Sequence, residues 1–154
     1  MKELNLSQVR YIVIHCSASR EDRPYTVERL LKDHIARGFS GIGYHYFVTR
    51  SGHIHLTRPL DKIGAHVQGY NHCSIGVCYE GGINKDGLPA DTRTVEQKAT
   101  LVRLIRMLKL YCPLASVVGH RDLSKDVNGD GIISPHEWVK QCPCFDASIA
   151  YARV

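Results

Sequence analysis

The stretch "VRYIVIHC", residues 9–16, is β-branched and almost wholly apolar until it reaches a histidine. A continuous apolar run of this length is typical of a strand buried on both faces of a sheet. His15 interrupts the run near its carboxyl end, which is where α/β sheets usually place their sites. The stretch therefore predicts a central strand that carries one polar side chain to the edge of the sheet.

Strand and helix patterns alternate along the rest of the chain. Thr26 and Thr94 are the predicted N-caps of two helices, and Gln97 completes a capping box at the second one. The predicted elements, in chain order, are strand 9–16, helix 26–39, two strands within 43–58 joined at Ser51-Gly52, strand 74–81, helix 94–112, strand 115–120 and a short helix 134–141. This order predicts an α/β fold with helices packed on a mixed central sheet, in one domain over residues 1–154.

Each of the two long helices has a predicted buried face. For the first helix these residues are Val27, Leu31, His34 and Ile35, and for the second they are Leu101, Leu104, Ile105, Leu108 and Cys112. The charged residues of the second helix lie largely off its apolar stripe and are expected to face solvent.

Composition and charge narrow the class of partner. The 154 residues have a net charge of +5 and nine histidines, which favours an anionic polymer. The chain has no run of five Lys or Arg residues, so nucleic acid is not expected as a partner. No apolar stretch is long enough for a membrane span, and the N-terminus does not have the pattern of a signal peptide, so we expect synthesis in the cytoplasm.

The six cysteines fall into two groups. Without a signal peptide the default expectation is reduced, buried thiols, and this fits the four that lie in or beside apolar segments: Cys16, Cys73, Cys78 and Cys112. Cys142 and Cys144 flank Pro143 in a polar C-terminal segment, where packing alone explains them poorly. These two are therefore candidates for metal binding.

A second histidine also stands at a strand end. His120 closes the predicted strand 115–120, as His15 closes the first strand. Together with a cysteine of the C-terminal segment they make three candidate zinc ligands, the number that leaves a catalytic zinc one open position. Spacing alone leaves an alternative open, because a histidine at a strand end is commonly structural.

Five motifs occur in an order that resembles a known family: "IVIHCSAS", "GIGYHYFVTRSGHI", "GAHVQGYNHCSIGVCYEGG", "VVGHRDL" and "CPCFD". Together they resemble the zinc-dependent N-acetylmuramoyl-L-alanine amidases of the phage T7 lysozyme and peptidoglycan-recognition-protein type, from about residue 10 to residue 146. The resemblance implies that His15, His120 and Cys142 bind Zn²⁺. It also implies that Tyr44 and Lys140 are catalytic and that His66 and Asn71 line the rim of the substrate groove.

These implied roles suit amide hydrolysis. Zinc lowers the pKa of bound water from about 15.7 to about 7 and polarises a carbonyl. Lys140 could stabilise an oxyanion, and Tyr44 could position water or shuttle a proton. Without the resemblance, Tyr44 would be read as a core aromatic and Lys140 as a solvated charge, while His45 and His66 could hold ligands in place from behind.

The segment "DVNGDGIISPHE", residues 126–137, matches the calcium-loop pattern D-x-[DN]-x-[DN]-G-x5-E. It belongs to an insertion at about 123–139 that separates His120 from Cys142. The predicted calcium ligands are Asp126, Asn128, Asp130, Ile132 and Glu137. The alternative is a turn in which the short polar side chains satisfy backbone donors. We expect any bound Ca²⁺ to be structural.

The sequence therefore predicts a zinc-dependent hydrolase that cuts the amide bond between N-acetylmuramic acid and L-alanine in peptidoglycan. The alternative is a module of the same fold that recognises peptidoglycan without cleaving it. A calcium sensor is disfavoured because only one loop is present and sensors usually pair such loops. We expect a monomer that acts on the cell wall.

Overall fold

The computed structural model describes all 154 residues. Its strands, in chain order, are β1 (Tyr11–Cys16), β2 (Ser19–Arg20), β3 (Tyr46–Val48), β4 (Ile54–Leu56), β5 (Ser74–Tyr79), β6 (Gly82–Ile83) and β7 (Ser116–Gly119). Its helices are α1 (Val27–Ala36), α2 (Val95–Tyr111) and α3 (Ala147–Ala150). Short 3-10 turns occupy Leu6–Gln8, Asn71–Cys73, His120–Leu123 and Pro135–Glu137.

The apolar strand β1 lies inside a five-stranded mixed sheet of order β4-β3-β5-β1-β7. It pairs in parallel with β5 and with β7, β3 is parallel to β5, and only the edge strand β4 is antiparallel. The register pairs Ile14 with Gly119, so His120 follows β7 directly beside His15. The predicted mixed sheet is confirmed, and its register brings the two strand-end histidines together.

One face of the sheet packs against α2. Thr94 caps this helix by accepting from the Gln97 backbone N–H, and the capping box is complete. The predicted apolar stripe is buried as expected: Leu101, Leu104, Ile105, Leu108 and Cys112. Gln97 is also buried, and its side-chain amide donates to the Val48 and Glu80 carbonyl oxygens, which ties α2 to the strands beneath it.

The opposite face packs against α1. Successive side chains of a strand point to opposite faces, so His15 lies on the face opposite Ile14 and Cys16. Thr26 caps α1 as predicted, but the buried residues of the helix are Leu30 and His34, whereas Leu31 is 42% and Ile35 51% exposed. The predicted buried face of α1 is therefore wrong at these two positions, because the helix turns Leu30 toward Ile42, Phe47 and Cys78.

Some boundaries differ from the prediction. The segment 134–141 forms only the 3-10 turn Pro135–Glu137, in which the capping box of Ser134 and Glu137 is present but no second turn follows. The two-residue strands β2 and β6, which pair with each other, and the short α3 were not predicted, because two to four residues carry no readable periodicity.

The four cysteines beside apolar segments are buried as expected. No helix combines the length and apolarity that a membrane crossing needs.

Candidate metal centre

The three predicted zinc ligands converge in the structure. One ligand atom each of His15, His120 and Cys142 lies within 4.8 Å of the other two, and no other group of three or more His, Cys, Asp or Glu residues converges in this way. The Cys142 Sγ is 3.8 Å from the His15 Nδ1. Two tetrahedral zinc ligands at the usual Zn–S and Zn–N bond lengths are about 3.6 Å apart, so the donor set fits a zinc ion.

Parallel strands deliver the two imidazoles. His15 is fully buried near the end of β1, and its ring centroid is 4.8 Å from that of His120, which begins the 3-10 turn after β7. Asp122 fixes this turn, because its carboxylate accepts from the Gly119 N–H at 2.7 Å and from the Ser148 hydroxyl at 3.2 Å. The position of His120 therefore follows from the strand register and from one carboxylate.

The third ligand is delivered by contacts of the C-terminal segment. The Cys142 carbonyl oxygen accepts from the Arg121 N–H at 2.9 Å, and the Tyr79 hydroxyl donates to the Pro143 carbonyl oxygen at 2.6 Å. Gly119 makes room for this segment, since a Cβ there would lie 2.6 Å from the Pro143 Cδ. The Cys142 Sγ also accepts from the Cys16 N–H at 3.3 Å, which ties the sulfur to the end of β1.

The electrostatics keep the imidazoles neutral. Burial is the largest cause that lowers the pKa of His15 far below its usual value, and the charges of His66, His120 and Lys140 add to it. Burial and then Lys140 lower the pKa of His120 to about 4. Neutral imidazoles offer a lone pair to a metal ion, so both side chains are in the ligating form at neutral pH.

The predicted catalytic residues lie next to this cluster. The Tyr44 ring centroid is 4.9 Å from that of His15, and burial raises the pKa of the Tyr44 hydroxyl, so it stays protonated at neutral pH. Lys140 is exposed, and its charge acts on both His15 and His120. Both positions are compatible with the predicted roles.

The two predicted groove residues have contacts inside the protein. His66 Nδ1 is 2.9 Å from His15 Nε2, so His66 lies directly behind a predicted metal ligand. The Asn71 side-chain oxygen accepts from the backbone N–H groups of His66 and Val67, both at 2.9 Å. Asn71 therefore holds the loop that carries His66.

Ser74, whose side chain contacts His66, was not singled out from the sequence. The signal in the sequence was a serine that opens an otherwise apolar strand.

The predicted calcium loop closes on itself. Asp126 accepts from the Gly129 and Gly131 N–H groups, and Glu137 accepts from the Val127 and Asn128 N–H groups. Asn128 and Asp130 accept from N–H groups two residues ahead. Ile132 is exposed. These are the contacts of the alternative, a polar turn, and the carboxylates of the loop are not among the converging metal-ligand groups.

A three-ligand His/His/Cys cluster at the carboxyl ends of parallel strands is the arrangement of a catalytic zinc centre rather than of a closed structural one. The chain belongs to the Amidase_2 family, described as N-acetylmuramoyl-L-alanine amidase, whose model matches residues 5–144. The resemblance seen in the motifs is confirmed by this match.

Individual proteins and solved structures are also similar to this chain. An uncharacterised protein of Haemophilus influenzae is 46% identical over 95 residues, which cover 62% of this chain and 82% of that protein. The endolysin of Klebsiella phage KP32 is 33% identical over 135 residues, which cover 88% of this chain and 80% of the endolysin. The solved structure of the endolysin amidase LysCS from Clostridium intestinale has a TM-score of 0.71 at 24% identity and covers 95% of this chain and 82% of that one, which shows a shared fold.

Proposed function

We propose that this protein is a zinc-dependent N-acetylmuramoyl-L-alanine amidase that hydrolyses the bond between the lactyl group of N-acetylmuramic acid and L-alanine of peptidoglycan. The observation that carries the proposal is the convergence of His15, His120 and Cys142 ligand atoms within 4.8 Å of one another. When bound, zinc supplies a Lewis acid and an activated water at neutral pH. The net charge of +5 favours an anionic wall polymer as the substrate.

The chain itself supplies the groups that amide hydrolysis needs besides the metal. Lys140 brings a positive charge to the side of the ligand cluster, where it stabilises the negative charge that develops on the carbonyl oxygen. Tyr44 stays protonated, so its hydroxyl can donate a hydrogen bond that orients the attacking water or the substrate carbonyl. We expect the monomer to be the active form and to act on the cell wall.

The proposal is tested by metal analysis combined with an amidase assay on purified peptidoglycan. We expect one zinc per chain and release of stem peptides with a free L-alanine amine. Cys142→Ser should abolish turnover, weaken zinc binding and leave peptidoglycan binding largely intact. Cys144→Ser is the matched control, because Cys144 is also half-buried but does not belong to the ligand cluster. Peptidoglycan binding without turnover in the zinc-loaded wild type would favour the recognition module instead.

A structural calcium ion in loop 126–137 remains a prediction of the motif alone. If Ca²⁺ binds there, through Asp126, Asn128, Asp130, the Ile132 carbonyl oxygen and Glu137, a calcium-selective chelator lowers the melting temperature and Asp130→Ala removes that response. A melting temperature that does not respond to the chelator would leave the loop as the polar turn that its backbone contacts describe.

A further inference from the structure

His15 must present a bare ring nitrogen to a metal ion, and the structure indicates which one. A neutral imidazole carries one N–H, so one nitrogen donates and the other accepts or ligates. His15 Nδ1 faces the Cys142 Sγ at 3.8 Å, and His15 Nε2 faces His66 Nδ1 at 2.9 Å. Ligation through Nδ1 therefore requires that the His15 proton is on Nε2 and that His66 Nδ1 accepts it.

A serine hydroxyl behind His66 sets this direction. The Ser74 Oγ donates its only proton to the Tyr70 carbonyl oxygen at 2.8 Å, and a carbonyl oxygen can only accept. The Ser74 lone pairs then face His66 Nε2 at 3.3 Å, so this nitrogen carries the His66 proton. His66 Nδ1 is left bare and accepts from His15 Nε2–H.

The His66 ring is fixed in the position that this chain of hydrogen bonds needs. It lies in a slot formed by two glycines: a Cβ on Gly64 would lie 2.5 Å from the His66 Cδ2, and a Cβ on Gly76 would lie 2.7 Å from it. Asn71 holds the backbone at His66 from the other side. Ser74 is itself fully buried, so water does not compete for its hydroxyl.

We propose that Ser74 and His66 are positioning residues that keep the His15 proton on Nε2 and so hold Nδ1 bare as the metal ligand. This gives His66 a role that is separate from contact with substrate. It also gives Ser74 a role in metal binding although two side chains, those of His66 and His15, lie between Ser74 and the metal site. The inference rests on the proposed function, because it takes the His15, His120 and Cys142 cluster as the metal site.

The first test measures tautomers directly in the wild-type, metal-free protein. In ¹⁵N-resolved NMR spectra of the histidine rings, we expect Nε2 to carry the proton in both His15 and His66. A His15 ring protonated at Nδ1 in the metal-free protein would overturn the inference. This measurement needs no substitution, so it does not depend on the folding of a variant.

The second test measures zinc affinity by competition with a chromophoric chelator. We expect Ser74→Ala and His66→Leu each to weaken zinc binding about 10-fold or more, the size typical of outer-shell changes. The double variant should bind zinc about as weakly as His66→Leu alone, since the two residues act in series. Ser116→Ala is the control and should leave zinc affinity unchanged. Ser116 pairs with Tyr11 from β7 and is exposed, whereas the buried Ser74 pairs with Tyr11 from β5.

The outcomes separate this inference from the proposed function. A wild type that binds zinc while Ser74→Ala and His66→Leu bind it equally tightly would overturn the inference and leave the amidase proposal standing. A wild type that binds no zinc would overturn both.

Discussion

At the scale of single residues, the position at the end of a buried strand decides which histidines belong to the candidate metal centre. His15 and His120 both follow apolar strand residues, and the parallel pairing of β1 with β7 places them side by side. The sequence shows that each is at a strand end, but it does not show the register that brings them together. Cys142 could be assigned only through the motif resemblance, because its position depends on long-range contacts such as that between Tyr79 and the Pro143 carbonyl oxygen.

The role of Lys140 can be tested against Lys125, a lysine of the insertion that precedes it. Lys140→Ala should lower kcat about 10²- to 10³-fold, the loss typical for one group that stabilises an oxyanion, while the zinc content stays at that of the wild type. Lys125 is also exposed but lies within the insertion, and Lys125→Ala should keep full activity. Kinetics on a soluble muropeptide would measure both. Equal activity of the two variants would show that Lys140 is only a solvated charge.

At the scale of elements, long periodic segments were predictable and short ones were not. The helix α2, with its Thr94 cap and its apolar stripe, agrees with the sequence pattern almost residue by residue. The buried face of α1 was misjudged because its few apolar residues fit more than one face, and only the packing against Phe47 and Cys78 selects Leu30. The insertion keeps polar contacts, such as that between the Val139 N–H and the Ser124 hydroxyl, in place of a helix.

The attachment of α2 to the sheet makes a prediction about stability. Gln97→Ala removes the amide that donates to the carbonyl oxygens of Val48 and Glu80. The Val48 oxygen still accepts from the Glu80 N–H, so the Glu80 oxygen is the one left without a donor. An unsatisfied buried acceptor costs about 1–3 kcal/mol, so we expect a loss of about 2–4 kcal/mol in the free energy of unfolding, including the lost capping box. Urea denaturation would measure it. The exposed neighbour Lys98→Ala should change stability by less than about 0.5 kcal/mol, and an equal effect of the two substitutions would contradict the prediction.

At the scale of the whole molecule, the two faces of the central sheet have different roles: one carries the apolar core and the other carries the candidate metal centre. The face under α2 holds the main apolar cluster, whereas the face under α1 holds the buried histidines His15, His34 and His45. The α/β class followed from the order of the elements, but this separation follows from strand alternation combined with the sheet order. Because these imidazoles are buried, the free energy of unfolding should depend on pH in a way that the net charge does not reveal.

This dependence can be derived from His34 and His45. The Nδ1 of His34 accepts from the Gly43 N–H at 2.9 Å, and the Nδ1 of His45 accepts from the Gly76 N–H at 3.0 Å, so protonation of either ring would break a buried hydrogen bond. Burial is the main cause that lowers the pKa of each to about 4. In the unfolded chain a histidine has a pKa of about 6.5, so between pH 6.5 and 4 the unfolded state binds more protons than the folded state.

Stability must therefore fall as the pH drops through this window, by up to about 1.4 kcal/mol per pH unit for each of the two histidines. In the metal-free protein the lowered pKa values of His15 and His120 add to this slope. Above pH 6.5 their contribution is fully present and constant. Urea midpoints of the metal-free protein at pH 7.5, 6.0 and 5.0 would measure the slope, and NMR titration of the His45 ring would show that it is still neutral at pH 5. A midpoint that does not change between pH 7.5 and 5.0 would contradict the prediction, because the folded and unfolded states would then bind the same number of protons.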